Sequence, residues 1–111
     1  MATDTLSRAF AALADPTRRA ILERLADGDA TLGELAAPFA ISQQAVSQHV
    51  KVLELAGLVS RSRAAQSRPC TLEVNTLDEA AGWIEQHRAI WAARYDRLDT
   101  YLDELRGSDH G

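Results

Sequence analysis

Apolar residues recur along much of this chain at spacings of three and four, the period of a helix with one face turned inward. Residues 3–14 carry Leu6, Phe10, Leu13 and Ala14 at such spacings and predict a first helix. Asp15 supplies an N-cap for a second helix, with Pro16 at its first position, where a missing N–H is no loss. That helix runs through Ile21, Leu22 and Leu25 and stops at Asp27-Gly28. Thr31-Leu32-Gly33-Glu34 has the form of a capping box and opens a third helix with Leu32, Leu35, Ala36 and Phe39 apolar. Pro38 keeps it short or bent. Ser42 caps a fourth helix, and Gly57 is placed at C′ to end it.

The period then changes to two. Residues 58–63 and 70–74 alternate as two short strands, and the polar stretch 64–69 joins them as a hairpin. Thr76-Leu77-Asp78-Glu79 is a second capping box, which predicts that the longest helix opens there and runs to Arg106. Residues 107–111 are then a frayed tail. The expected fold class is mainly α with a small β-hairpin (α+β): four helices, two strands and a long C-terminal helix. With 111 residues and neither repeat nor linker, residues 1–106 are expected to form a single domain.

Composition narrows the setting. Hydrophobic residues make up 46% and charged residues 25%, as in soluble globular proteins. No apolar run is long enough to span a membrane, and no basic stretch followed by an apolar one opens the chain as a signal peptide would. The single cysteine, Cys70, makes no internal disulfide, and a lone strand cysteine reads as packing. A cytoplasmic protein is expected. Net charge is -4, which counts against a nucleic-acid partner until its distribution is considered. Residues 42–68 carry +3, whereas residues 69–111 carry -5. Local field decides what a surface attracts, so the middle of the chain is the part suited to an anion.

That middle segment, residues 41–59, reads ISQQAVSQHVKVLELAGLV. Two short helices joined by a tight turn and followed at once by a hairpin is the grammar of a winged helix-turn-helix. The fourth helix divides by period into Ala45, Val46, His49, Val50 and Leu53 on an inward face, and Gln43, Gln44, Ser47, Gln48 and Lys51 on the other. A generic solvent face would mix acids and bases, but here Glu54 arrives only near the end. Glutamine can pair with adenine in a bidentate manner, serine suits several base edges or a phosphate, and a helix N-terminus favours an anion. Arg61 and Arg63 share one strand face, with Arg68 across the turn, as a phosphate-gripping wing requires. His49 lies on the border of the two helix faces, open between a buried, hydrogen-bonded role and a phosphate or base contact.

The stretches FAALADPTRRAILERLADG, SQQAVSQHVKVLELAGLV and WIEQHRAIWAARYDRLDTYLDEL resemble the ArsR-type (arsenic-repressor-like) family of winged helix-turn-helix transcriptional repressors. The resemblance implies a homodimer on double-stranded operator DNA, with two recognition helices in successive major grooves. It places Ser42, Gln43, Gln44, Ser47, Gln48 and His49 on the recognition helix and Arg61 and Arg63 on the wing. Three positions depart from the family pattern: Gln48 where arginine is common, Ala65-Gln66 where Gly-Arg is usual, and Cys70 in place of a common tyrosine. The resemblance also puts the dimer interface on the first and last helices. Ile84, Trp91, Leu98 and Leu105 recur every seven residues, with His87, Tyr95 and Leu102 between them. Trp83, Ile90 and Tyr101 widen that apolar surface beyond what one seam requires. Leu6, Phe10, Trp91, Tyr95, Leu98 and Leu102 are the expected dimer contacts.

Metal sensing, common in this family, lacks its ligands here. ELAAPF stands where a thiolate pair would sit, and of the three histidines, His49, His87 and His110, His87 has no second ligand one turn away at 83, 84, 90 or 91. No cofactor is expected, and no small-molecule effector is legible. Nor does the chain carry a phosphate loop, a nucleophile elbow or an HExxH pair, so an enzyme is not expected. The alternative from another class is a winged-helix protein-interaction module without DNA binding. It would show acids on the fourth helix's outer face or a hydrophobic wing, and this sequence shows neither.

Overall fold

The computed structural model of the protein describes residues 4–62 and 68–108. Its order is α1 (Thr5–Leu13), α2 (Pro16–Ala26), α3 (Leu32–Ala36), α4 (Gln43–Leu55), β1 (Val59–Arg61), β2 (Cys70–Leu72) and α5 (Val74–Ser108). The fold is mostly helical with a small wing, as the alternation of periods predicts.

Local chemistry sets the helix starts. The Asp4 carboxylate accepts the Ser7 N–H at 2.6 Å, so α1 begins after Asp4; residue 3, the expected start, lies outside the described residues. The Asp15 carboxylate takes the Arg18 N–H at 3.0 Å, with Pro16 at the first helical position. Around α3 both bonds of the capping box are made, Glu34 N–H to Thr31 Oγ1 at 3.2 Å and Thr31 N–H to Glu34 Oε1 at 3.1 Å. That helix ends at Ala36, two residues before Pro38. Gly57, at φ 75°, lies past the C-cap Ala56 of α4 in the left-handed region that only glycine enters freely.

The core gathers Ile21, Leu22 and Leu25 from α2, Leu35 from α3, Val46, Val50 and Leu53 from α4, and Leu58 and Val59 beside the hairpin. Burying each such aliphatic chain stabilises by about 1.5–3 kcal/mol. In α1 the buried positions are Ala9 and Ala12, while Leu6, Phe10 and Leu13 are half-buried and Ala14 is exposed. The expected apolar stripe is therefore rotated: small alanines let α1 approach α2 and α4 closely, and the large side chains lie at its edge.

Strands β1 and β2 pair antiparallel, Val59 with Leu72, Ser60 with Thr71 and Arg61 with Cys70. Both are shorter than expected. Leu58 donates its N–H to Leu53 O at 2.9 Å, closing the helix end rather than opening a strand, and Arg68 turns left-handed at φ 45°. Arg63 and the turn 64–67 lie outside the described residues. Ala30 adds a single isolated bridge to β2, exchanging bonds of 2.7 and 3.2 Å with Cys70. Between Ala30 and β1, Cys70 is buried, and burial pushes its thiol pKa up despite the Arg61 charge nearby.

The last helix opens at Val74, two residues before the expected cap at Thr76. The wing overrides the local motif: Glu73 donates its N–H to Leu58 O at 2.9 Å and accepts the Ser60 hydroxyl at 2.6 Å, so the chain passes from strand to helix without a loop. At the other end the helix continues to Ser108, so residues 107 and 108 belong to it; 109–111 lie outside the described residues. The chain forms two compact units that divide between Ala80 and Ala81. Leu77 packs on the core of the first unit, and the second is the remainder of α5.

A Cβ at Gly57 would stand 3.0 Å from Thr76 Oγ1 as well as forcing an L-residue into left-handed backbone. Gly57→Ala is expected to lower stability by about 1–2 kcal/mol in urea unfolding, whereas an unchanged midpoint would show that the turn relaxes freely.

Candidate nucleic-acid interface

Helix α4 is held by its inward face, where Val46, Val50 and Leu53 are buried against the core. That leaves Gln43, Gln44, Gln48 and Lys51 exposed on the opposite face, with Ser47 half-buried beside them. Ser42 accepts the Ala45 N–H at 3.1 Å through Oγ, and its hydroxyl hydrogen stays available as a donor. The helix presents amides, hydroxyls and one ammonium, with no carboxylate before Glu54. Such a surface can donate to and accept from base edges, and its dipole and single cation favour the anionic side of a duplex.

His49 is half-buried at the border of this face. Its Nδ1 lies 3.4 Å from Arg18 Nη1 and 3.8 Å from Asp15 Oδ2. Arg18 also donates through Nε to Ala12 O at 2.7 Å and through Nη2 to Ala11 O at 3.2 Å. Arg19 donates to Leu13 O at 2.8 Å. Two arginines of α2 thus bond carbonyls of the last turn of α1, where donors are lacking and a cation is favoured. The Asp15 carboxyl is held below its ordinary pKa, first by the Arg18 N–H and then by the charges of His49 and Arg18. Reading by periodicity misses Arg18. The available signal was two arginines one turn into a helix that follows another helix directly.

At the wing, Arg61 is half-buried and Arg68 exposed. Both line an open pocket of about 370 Å³ with Ser60, Ser62, Val59 and Glu54. The Arg61 Nε is buried without a hydrogen-bond partner among the described residues. An unpaired buried donor is unfavourable, which suits a guanidinium awaiting an acceptor. Arg63, the other expected wing contact, lies outside the described residues.

The expected dimer residues fall in both units. On α1, Leu6 and Phe10 are half-buried. Within the second unit Trp91, Tyr95, Leu98 and Leu102 are all exposed, Tyr95 at 68%. His87 stacks on Trp83 with ring centroids 4.0 Å apart, and its Nδ1 lies 2.8 Å from Trp83 O, so it donates there. Among the described residues no group of three or more His, Cys, Asp or Glu could hold a metal ion. No helix among them is long and apolar enough to cross a membrane.

Comparison with known proteins agrees with this geometry. The family model described as a helix-turn-helix domain matches residues 13–61. The transcriptional repressor SdpR of Bacillus subtilis is 35% identical over 79 residues, covering 71% of this chain and 88% of that protein. The HTH-type transcriptional regulator Rv2034 of Mycobacterium tuberculosis is 53% identical over 66 residues, and the matched stretch spans 62% of its length. Among solved structures, an ArsR family transcriptional regulator superimposes with a TM-score of 0.74 at 35% identity, covering 80% of this chain and 98% of its own. An ArsR-like regulator from Rhodococcus sp. RHA1 gives 0.73 at 30% identity, covering 85% and 89%. With the same winged architecture and relatives of this identity across most of its length, the chain belongs to the ArsR family of winged helix-turn-helix transcriptional regulators.

Proposed function

We propose that this DNA-binding regulator is a repressor that occupies a palindromic operator as a homodimer in the cytoplasm and blocks transcription, without catalytic activity. The observation that carries the proposal is the outer face of α4, where exposed Gln43, Gln44, Gln48 and Lys51 form a polar stripe free of carboxylate. Ser42, Gln43, Gln44, Ser47 and Gln48 read bases, Lys51, Arg61, Arg63 and Arg68 grip phosphates, and His49 borders the two. An interaction module without DNA would need acids or apolar groups on that stripe, and α4 offers amides.

One recognition helix and one wing supply few contacts from a chain of net charge -4. Two copies related by a two-fold axis double them and would read half-sites about 34 Å apart. The apolar side chains of α5 and the edge of α1 are the surfaces proposed to hold that spacing. Residues 1–106 then act as one functional domain that carries its own dimerisation helices.

Reading and gripping separate under mutation. Gln44→Ala or Ser47→Ala is expected to relax base preference by about 1–3 kcal/mol per lost bidentate contact while leaving the salt dependence nearly unchanged. Arg68→Ala should weaken binding to all sequences together and reduce the salt slope by about one unit. If both classes of variant behave alike in salt-titrated binding, the division of the two surfaces is wrong.

Assembly has its own test. Leu98→Glu places a carboxylate in the proposed apolar seam, where an unpaired buried charge is costly. The variant is expected to be monomeric or poorly folded by light scattering and circular dichroism, and to lose specific DNA binding. A folded dimer with unchanged operator affinity would remove α5 from the interface.

A further inference from the structure

We infer that the cleft between α1, the start of α2 and the end of α4 is a binding site for a small amphiphilic anion, an organic carboxylate on an apolar body. The cleft has a volume of about 390 Å³. Ligand pockets span about 300–1,000 Å³, so this one suits a small molecule. Its space comes from short side chains. Ala11, Ala12 and Ala56 line it, the last two buried, so three helices meet with only methyl groups where larger side chains would close the gap. From α4, Val52 and Leu55 supply an apolar wall that stands 39% and 69% exposed. Covering such a wall with an apolar body is favourable.

The charge at the cleft is all of one sign. Arg8 of α1 and Arg18 of α2 line it, and no carboxylate does. Among the described residues the Arg8 side chain makes no hydrogen bond or ion pair. Arg18 has five N–H donors, of which three are directed at Ala12 O, Ala11 O and His49 Nδ1, so two remain. A guanidinium does not lose its charge, so two of them beside one apolar cleft favour an anion, and a carboxylate matches their paired donors. A bare inorganic anion would leave Val52 and Leu55 in water, so the ligand carries an apolar body. The wing pocket lacks this pattern, because Glu54 lines it together with Arg61 and Arg68. Nor is the cleft on the proposed dimer edge. At about 100° per residue, Arg8 and Ala11 lie roughly 100° or more round α1 from Leu6 and Phe10. Binding at the cleft needs neither DNA nor a second copy.

Isothermal titration calorimetry of the full chain with octanoate and with naphthoate tests the site. Each is compared with the alcohol of the same body, octanol or naphthylmethanol, at constant pH and salt. At least one carboxylate is expected to bind saturably, one molecule per chain, and about tenfold or more tighter than its alcohol, the worth of a charge-assisted hydrogen bond. The tighter of the two carboxylates shows whether the body is a chain or a ring. Arg8→Ala, at an exposed helical position where alanine is favoured, should keep the fold and lose that tenfold preference. Ala11→Leu fills the cleft and keeps both guanidiniums, so it should weaken carboxylate and alcohol together. Arg94→Ala alters the separate groove of Trp91, Tyr95 and Leu98 on α5 and should leave binding unchanged. No saturation below about 10 mM with either carboxylate overturns the inference. So does equal affinity for carboxylate and alcohol, a preference kept in Arg8→Ala, or binding that is lost in Arg94→Ala and kept in Ala11→Leu.

Discussion

The last carbonyls of a helix are left without donors by the helix's own regular ladder, and α1 ends beside α2 and α4. Arg18 meets that need from outside, bonding Ala11 and Ala12 with two of its nitrogens and approaching His49 with the third. Its own N–H is held by the Asp15 carboxylate, so the side chain leaves α2 from a capped first turn. The same few residues therefore end one helix, start the next and touch the helix proposed to read DNA. The alanines of α1 belong to this arrangement, because Ala9 and Ala12 let the helix approach closely and leave Phe10 and Leu6 at the edge. The core beneath supplies most of the stability, while the polar contacts fix the placement.

Charge explains how an acidic protein can address an acidic polymer. The excess of carboxylates sits after the wing, whereas residues 42–68 carry a net positive charge. Coulombic attraction between exposed groups fades over about 10 Å at moderate salt, so a basic segment is felt by what lies against it. Phosphate contacts give affinity without sequence information, and the amides of α4 are the groups able to add it. Cys70 stands apart from this chemistry: buried between Ala30 and β1 with its thiol pKa pushed up, it is poorly suited to act as a nucleophile.

Features legible in the sequence were those decided within a few residues. The caps at Asp15, Thr31 and Ser42 and the left-handed Gly57 depend on side chains next to the backbone they serve, and each stands where the sequence put it. The division of α4 into a buried face and a polar face was legible because period alone fixes it. Long-range contacts were not. Ala30 pairs with Cys70 as a single rung, too short to leave an alternating pattern. Thr76-Leu77-Asp78-Glu79 has the letters of a capping box, but the bonds of Glu73 to Leu58 and Ser60 draw the helix start back to Val74. Nothing local to Arg18 in the sequence shows that its side chain reaches both α1 and α4. His49, open between two roles from sequence, has contacts with Asp15 and Arg18 that only the fold brings together.

The central claim is that this chain reads DNA sequence through α4, and selection from a random duplex pool tests it most directly. Successive rounds should converge on an inverted repeat with half-site centres about 10 base pairs apart. The selected duplex should bind roughly a thousandfold or more tighter than a scrambled one at physiological salt. A pool that fails to converge, or affinities for selected and scrambled duplexes that coincide across the salt range, would contradict it.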